Sequence, residues 1–247
     1  MLVLCCMKVL VMNLKKWYAG IFFLCSILLM SCGRKENEPS ESPSMELKPI
    51  TEAEVIEETN QKFNLSRCII QVQTDTQLGS GILWEKRKAE WIVVTAAHVV
   101  DGLQEAEVCL VPEEKILPAK VTQVNGLDLA FLTVSTASLE QAVEDKYLPI
   151  KVEEDSPGQK AIVIAAGYNP YGELCEYAGT LIEDWIYVED FDNYMLLCDC
   201  KAEAGMSGGA VTTEEGKLVG LVCGENEKEL LAVLPVGVIK SEYRLIP

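Results

Sequence analysis

Beyond about residue 60 the chain alternates between short apolar, β-branched segments and small or polar breaks. CIIQVQ, GSGILW, WIVVTA, AEVCLV, AKVTQV, LDLAFLTV and AIVIAAG come first, followed by GTLIEDWIYV, YMLLCDC, KLVGLVCG and LLAVLPVGVI. Each is of strand length, and most are bounded by Gly, Pro, Asp, Asn or Glu, which favour turns. No long stretch of helical period intervenes, so the pattern predicts an all-β sandwich or barrel rather than an alternating α/β fold. The last stretch, VIKSEYRL, reads as a short closing helix. No 20- to 50-residue repeat is present.

The first 60 residues follow a different rule. From Met12 the chain carries two cations, Lys15 and Lys16, then an apolar run from Trp17 to Met30, then small residues before Cys32. That layout predicts a secretion signal over residues 1–31. The run is shorter than the roughly 20 residues that cross a bilayer, which argues against a permanent span. Residues 1–11 form a second apolar block that a signal does not need, so Met12 is a plausible true start. Leu29-Met30-Ser31-Cys32 resembles the lipobox of bacterial lipoproteins. The resemblance implies a diacylglycerol on Cys32 and cleavage in front of it. Residues 32–60 are rich in Glu, Ser, Pro and Asn and poor in large apolar side chains, the composition of a disordered acidic tether. The expected product is exported and lipid-anchored to the bacterial cell membrane, facing outside the cytoplasm, with one folded domain over residues 61–247.

Charge narrows the partners. A net charge of −17 and a pI near 4.5 exclude a phosphate-backbone ligand, which needs a surplus of Lys and Arg. The acidic balance reads as a solvated surface and does not itself choose a substrate. Of ten cysteines, Cys5, Cys6 and Cys25 leave with the signal, and Cys32 would carry lipid. In an exported protein, Cys68, Cys109, Cys175, Cys198, Cys200 and Cys223 can form up to three disulfides, and the sequence does not select among fifteen pairings. Cys198 and Cys200 point the same way on a strand. With one histidine in the chain a zinc site would be nearly all thiolate, so neither a metal nor another cofactor is expected.

Three segments carry candidate chemistry. His98 follows the apolar strand WIVVTAAHVVDG; taken alone, a solitary histidine is more often a packed core residue than a catalyst. Ser207 lies in AEAGMSGGAV, where glycines permit a tight turn and close approach of backbone N–H groups to a ligand. A serine oxygen needs a base within hydrogen-bond reach, and His98 is the one imidazole available. Asp128, in NGLDLAFLTV, is a carboxylate among apolar neighbours, costly unless paired. Accepting the His98 Nδ1–H would give it a partner and hold the ring for proton transfer.

The order His98, Asp128, Ser207 is that of the chymotrypsin group. GSGIL, VVTAAHVVDG, LDLAFLTV, AAGYNPYG, GMSGGAV and LVGLVCG together resemble the protease domain of bacterial HtrA-type trypsin-like peptidases, over about Phe63 to Leu245. The resemblance implies two six-stranded antiparallel β-barrels with a cleft between them and a short C-terminal helix. It implies a serine endopeptidase acting on protein or peptide substrates through the catalytic triad His98, Asp128 and Ser207 and an acyl-enzyme. Backbone N–H groups of Gly205 and Ser207 would form the oxyanion hole, and Cys223, Gly224 and Glu225 would pair with the substrate as an added strand. It also raises a homotrimer as the assembly, which no residue here establishes.

The chain departs from the family in several places. About forty residues follow Ser207, so no PDZ domain is expected after it. The family's usual Asn or Asp before the serine is Met206, which removes a polar support from the loop. Lys201 stands where trypsin places the acidic base of its pocket, so Arg or Lys preference is not supported and a small or medium apolar side chain is expected instead. No activation site is evident, which predicts activity without zymogen processing. The alternative reading is a catalytically inactive protease-fold lipoprotein that binds peptides or a partner protein.

Overall fold

The structure, a computed structural model, describes residues 63–153 and 155–246. The signal, the Met12 start, Cys32 and the whole of the tether lie outside the described residues. No described helix is long and apolar enough to cross a membrane.

Six strands close a first barrel: β1 (Ile69–Gln73), β2 (Leu78–Arg87), β3 (Glu90–Thr95), β4 (Glu105–Leu110), β5 (Lys115–Gln123) and β6 (Ala130–Ser135). Their order is β1-β2-β3-β6-β5-β4, closed by pairing of β1 with β4, and every pairing is antiparallel. The interior is filled from alternate positions by Ile69, Ile82, Trp91, Val93 and Leu132. Trp91 is fully buried, and truncating such a side chain to Ala costs about 3–5 kcal/mol.

The second barrel comprises β8 (Ile162–Tyr168), β9 (Leu174–Val188), β10 (Asn193–Cys198), β11 (Ala210–Thr212), β12 (Lys217–Glu225) and β13 (Leu231–Pro235). Strands β11 and β12 pair to close it. A further two-residue strand, β7 (Lys151–Val152), runs parallel to β12 at Lys217 and Leu218; the sequence pattern did not predict it. Val163, Leu181, Val211 and Val219 belong to one of its buried clusters.

Two helices of a single turn, α1 (Ala97–Val100) and α2 (Gln141–Glu144), precede the C-terminal α3 (Val236–Tyr243). The stretch LLAVLPVGVI is thus split where the sequence suggested one strand: it ends at Pro235, and VGVI opens the helix. Proline supplies φ −61° at the helix N-cap and has no N–H to continue the ladder.

Candidate active site

His98 leaves the core because α1 is so short. Strand β3 ends at Thr95, Ala96 is extended, and the single turn sinks Val99 and Val100 into the first barrel while His98 faces solvent. Asp101, at φ 37°, terminates the turn. Asp128 sits at the entrance to β6, where Val124 N–H donates to the Leu129 carbonyl at 2.9 Å across the turn and Leu129 is buried. That anchoring aims the carboxylate at His98.

The two residues meet through three hydrogen bonds. His98 Nδ1 lies 2.8 Å from Asp128 Oδ2 and 3.1 Å from Oδ1, and the His98 backbone N–H donates to Oδ1 at 2.9 Å. The Asp128 side chain is 19% exposed and that of His98 48%. The Asp128 hydrogen bond holds the His98 pKa above the ordinary 6.5, against the opposing effect of burial. Burial would raise Asp128, but the hydrogen bonds and charge of His98 outweigh it and keep the carboxyl below its ordinary range. With Nδ1 occupied, Nε2 is the nitrogen left to exchange a proton.

Ser207 belongs to the loop joining β10 to β11, and that loop is pinned from the opposite barrel by Ser80. The Ser80 hydroxyl accepts from Tyr168 N–H and donates to the Gly205 carbonyl, each at 2.8 Å, while Ser80 N–H donates to the Ser207 carbonyl at 2.8 Å. Ser80 is completely buried, and its carbonyl in turn accepts from Thr95 Oγ1 at 2.7 Å. Gly208 takes φ +82°, and a Cβ there would fall 2.2 Å from the Ser80 carbonyl and 3.0 Å from Ala96 N. The loop thus sits against the strand end from which His98 springs. All the side-chain hydrogen bonds of His98 go to Asp128; none among the described residues joins it to Ser207 Oγ.

Gly205 and Ser207 each leave a backbone N–H without an acceptor among the described residues, although their neighbours are bonded: Met206 N–H to Glu203 O at 3.1 Å and Gly208 N–H to Val222 O at 2.8 Å. Gly205 takes φ +88°, and a Cβ would lie 2.7 Å from the Tyr168 carbonyl. Met206 is fully buried, and its sulfur accepts from Glu203 N–H at 3.3 Å, so packing and a weak acceptor replace the polar support that the sequence lacks.

Beside Ser207 opens a cleft of about 200 Å³ whose walls include Ala202, Ala204, Val222 and Gly224, with Glu203 and Glu225. Lys201 does not line it; its ammonium pairs with Glu203 at 2.8 Å and lies over the Tyr177 ring. Gly224 and Glu225 border the cleft on β12, whereas the buried Cys223 does not line it. Strand β12 pairs with β13 on one side, and on the other Cys223, Gly224 and Glu225 have no partner strand among the described residues.

All six described cysteines are free thiols, five of them buried and Cys175 half-buried. Burial pushes Cys68 and Cys109 up to about 11. Burial, with the nearby Asp128 charge, raises Cys223 well above the usual thiol range. Cys198 and Cys200 share a hydrogen bond that raises the first and lowers the second. Sequence reasoning missed Ser80: GSGIL was recognisable as a block, but nothing local marks its serine as the tie to a loop more than a hundred residues away.

Two closed antiparallel barrels define a chymotrypsin-like fold, and residues 79–221, more than half of the chain, match the family of the trypsin-like peptidase domain. The chain belongs to that family. Its relatives include proteins named "Serine protease HtrA-like" from Staphylococcus aureus strains RF122 / ET3-1 and USA300, each 25% identical over 186 residues, covering 67% of this chain and 23% of theirs. The chain therefore spans less than a quarter of those relatives' length. Among solved structures it is similar to the Rv3671c protease of M. tuberculosis in an inactive form, with a TM-score of 0.59 at 22% identity over 73% of this chain and 89% of that one. The serine endoprotease from Yersinia pestis superposes with a TM-score of 0.57 at 20% identity, over 72% of this chain and 62% of that one.

Proposed function

We propose that this chain is a serine endopeptidase that hydrolyses peptide bonds through Ser207, His98 and Asp128. The observation that carries the reading is the His98–Asp128 pair, joined by three hydrogen bonds of 2.8 to 3.1 Å and set beside a loop with two N–H groups that have no acceptor among the described residues. Ser207 Oγ attacks the scissile carbonyl carbon as its proton passes to His98 Nε2. Asp128 stabilises the imidazolium that forms. The oxyanion is received by the Gly205 and Ser207 N–H groups, donors of a kind that contribute about 3 kcal/mol each. His98 returns the proton to the leaving amine, and water then releases the acyl group by the same steps in reverse order. The open edge of Cys223–Glu225 receives the substrate main chain as an added strand. The small side chains of the cleft suit a small or medium apolar residue before the cut.

Before attack, the Ser207 hydroxyl must turn to His98, since catalytic hydrogen bonds often close only when substrate is bound. The same gap supports the second reading, a protease-fold protein that binds peptides without cutting them. A fluorophosphonate probe separates the two. An adduct on Ser207, located by mass spectrometry and lost in Ser207→Ala and His98→Ala, supports the peptidase; a folded wild-type chain that takes no label supports the binding protein.

Display at the cell surface through lipid on Cys32 is part of the same proposal, with protein or peptide as the partner and no nucleic acid. Metabolic labelling with an alkyne fatty acid, lost in Cys32→Ala, tests the anchor. A homotrimer is tested by light scattering of the detergent-solubilised protein.

A further inference from the structure

A second pocket lies away from the Ser207 cleft and shares no lining residue with it. It encloses about 180 Å³ between the β9–β10 arm and the start of α3, and Pro157, Leu196, Val219 and Val236 are among the side chains that form its apolar wall. Trp185 stands at its edge, 55% exposed, with its ring stacked on Tyr194 at 5.7 Å and 12°. The backbone of Trp185 is at φ +59°, a conformation that a bulky side chain adopts only under strain. The Tyr194 stack and the irregular register of β9 and β10 hold the indole there, outside the core.

Two carboxylates, Asp155 and Asp184, complete the lining. Neither makes a hydrogen bond or ion pair among the described residues. They do not converge with a third metal-ligating side chain among those residues. The β9–β10 arm from Leu174 to Cys198 carries six carboxylates and no Lys, Arg or His; the cations on neighbouring segments include Lys160, just before β8, and Lys240 on α3. Glu189 and Asp190, at the end of the same arm, are exposed and likewise make no ion pair among the described residues.

We propose that this pocket binds a lysine or arginine side chain of a basic polypeptide. The apolar wall fits the methylene stem, the carboxylates meet the cationic head, and the Trp185 face adds a cation–π contact. A purely aliphatic ligand would leave both carboxylates facing apolar surface, and an acidic one would be repelled. The molecule's excess negative charge thus has a local focus, separate from the peptidase cleft and independent of its activity.

The test is binding of a fluorescein-labelled (Lys-Gly)5 peptide, and its (Gln-Gly)5 counterpart, to the full chain carrying Ser207→Ala, read by anisotropy at low ionic strength. Adding Trp185→Gly removes the ring without changing charge and relieves the positive φ, so that variant is expected to fold. Its retained fold is checked by circular dichroism, and by undiminished fluorophosphonate labelling if Ser207 is restored and the parent labels. Asp155→Asn with Asp184→Asn removes two pocket charges; Asp75→Asn with Glu214→Gln removes two exposed charges outside the pocket. The lysine peptide is expected to bind about tenfold more weakly to each pocket variant, equivalent to about 1.4 kcal/mol, and within twofold of the parent in the outside pair. Equal weakening by both charge pairs, unchanged binding in the folded Trp185→Gly variant, or no preference for lysine over glutamine would overturn the proposal.

Discussion

The Ser80 hydroxyl, from the first barrel, donates to the Gly205 carbonyl of the second at 2.8 Å, and Ser80 N–H holds the Ser207 carbonyl at the same distance. One buried residue thereby fixes the loop that carries both Ser207, the proposed nucleophile, and the two N–H groups left without an acceptor among the described residues. The geometry of the proposed catalytic site is a property of how the barrels are joined, not of either alone.

Ser80→Ala should slow acylation with little change in KM. The substitution strips the Gly205 carbonyl and the Tyr168 N–H of their buried partner, a loss of about 1–3 kcal/mol. The expected readout is a fluorophosphonate labelling rate at least about tenfold lower, with a melting temperature reduced by a few degrees. Labelling at the parent rate would show that the loop holds its shape without this clamp.

Acylation should fail on the acid side. His98 must be neutral to accept the serine proton, and its raised pKa places the half-maximal rate above pH 6.5. Asp128→Asn should shift that midpoint down and lower the plateau by about 10⁴-fold. Stability follows the opposite sign for the histidine: the stabilisation from its raised pKa is complete below the unfolded value and fades as pH rises through the folded one. The lowered Asp128 pKa contributes above the ordinary 3.8 and is lost as pH falls through its depressed value. The pH profile of labelling, with unfolding measured across the same range, checks both signs.

Gly208→Ala should abolish labelling and destabilise the fold. Its Cβ would press on the Ser80 carbonyl and the Thr95 hydroxyl at 2.2 and 2.4 Å, in a backbone conformation that disfavours side chains. The positive φ alone costs of the order of 1–3 kcal/mol. Normal labelling and an unchanged denaturation midpoint would contradict the packing described for this loop.

Native alkylation should reach Cys175 first. It is the half-buried thiol of the six, whereas Cys68 and Cys109 are buried with pKa values of about 11. Iodoacetamide followed by peptide mapping is expected to give, among the six described cysteines, one fast site and five that react only on unfolding. Modification of Cys223 at a comparable rate would mean that the strand beside the cleft opens readily.

Much of this molecule was legible before its coordinates. The β-branched segments became strands because each buries one face in a barrel, and the three catalytic candidates stood out because serine chemistry needs a base and the chain has one histidine. What stayed hidden depends on contacts between distant residues. Ser80 looks like any strand serine until Gly205 is brought over it. β7 is too short to show a period and exists only as a partner of Lys217 and Leu218. In the same way, GTLIEDWIYV read as a plain strand, although Trp185 leaves the pleat at φ +59° to face solvent.

The Ser80 clamp also bears on when the proposed peptidase would become dangerous to its maker. A nascent chain presents His98 and Asp128 early, on a barrel closed by residue 135. Ser207, the proposed nucleophile, emerges far later, and its loop then docks on a Ser80 already held in that barrel. A polypeptide that stops short of this loop, or joins its barrels wrongly, therefore lacks the working arrangement, and in the proposed peptidase hydrolytic power arrives as one of the last events of maturation.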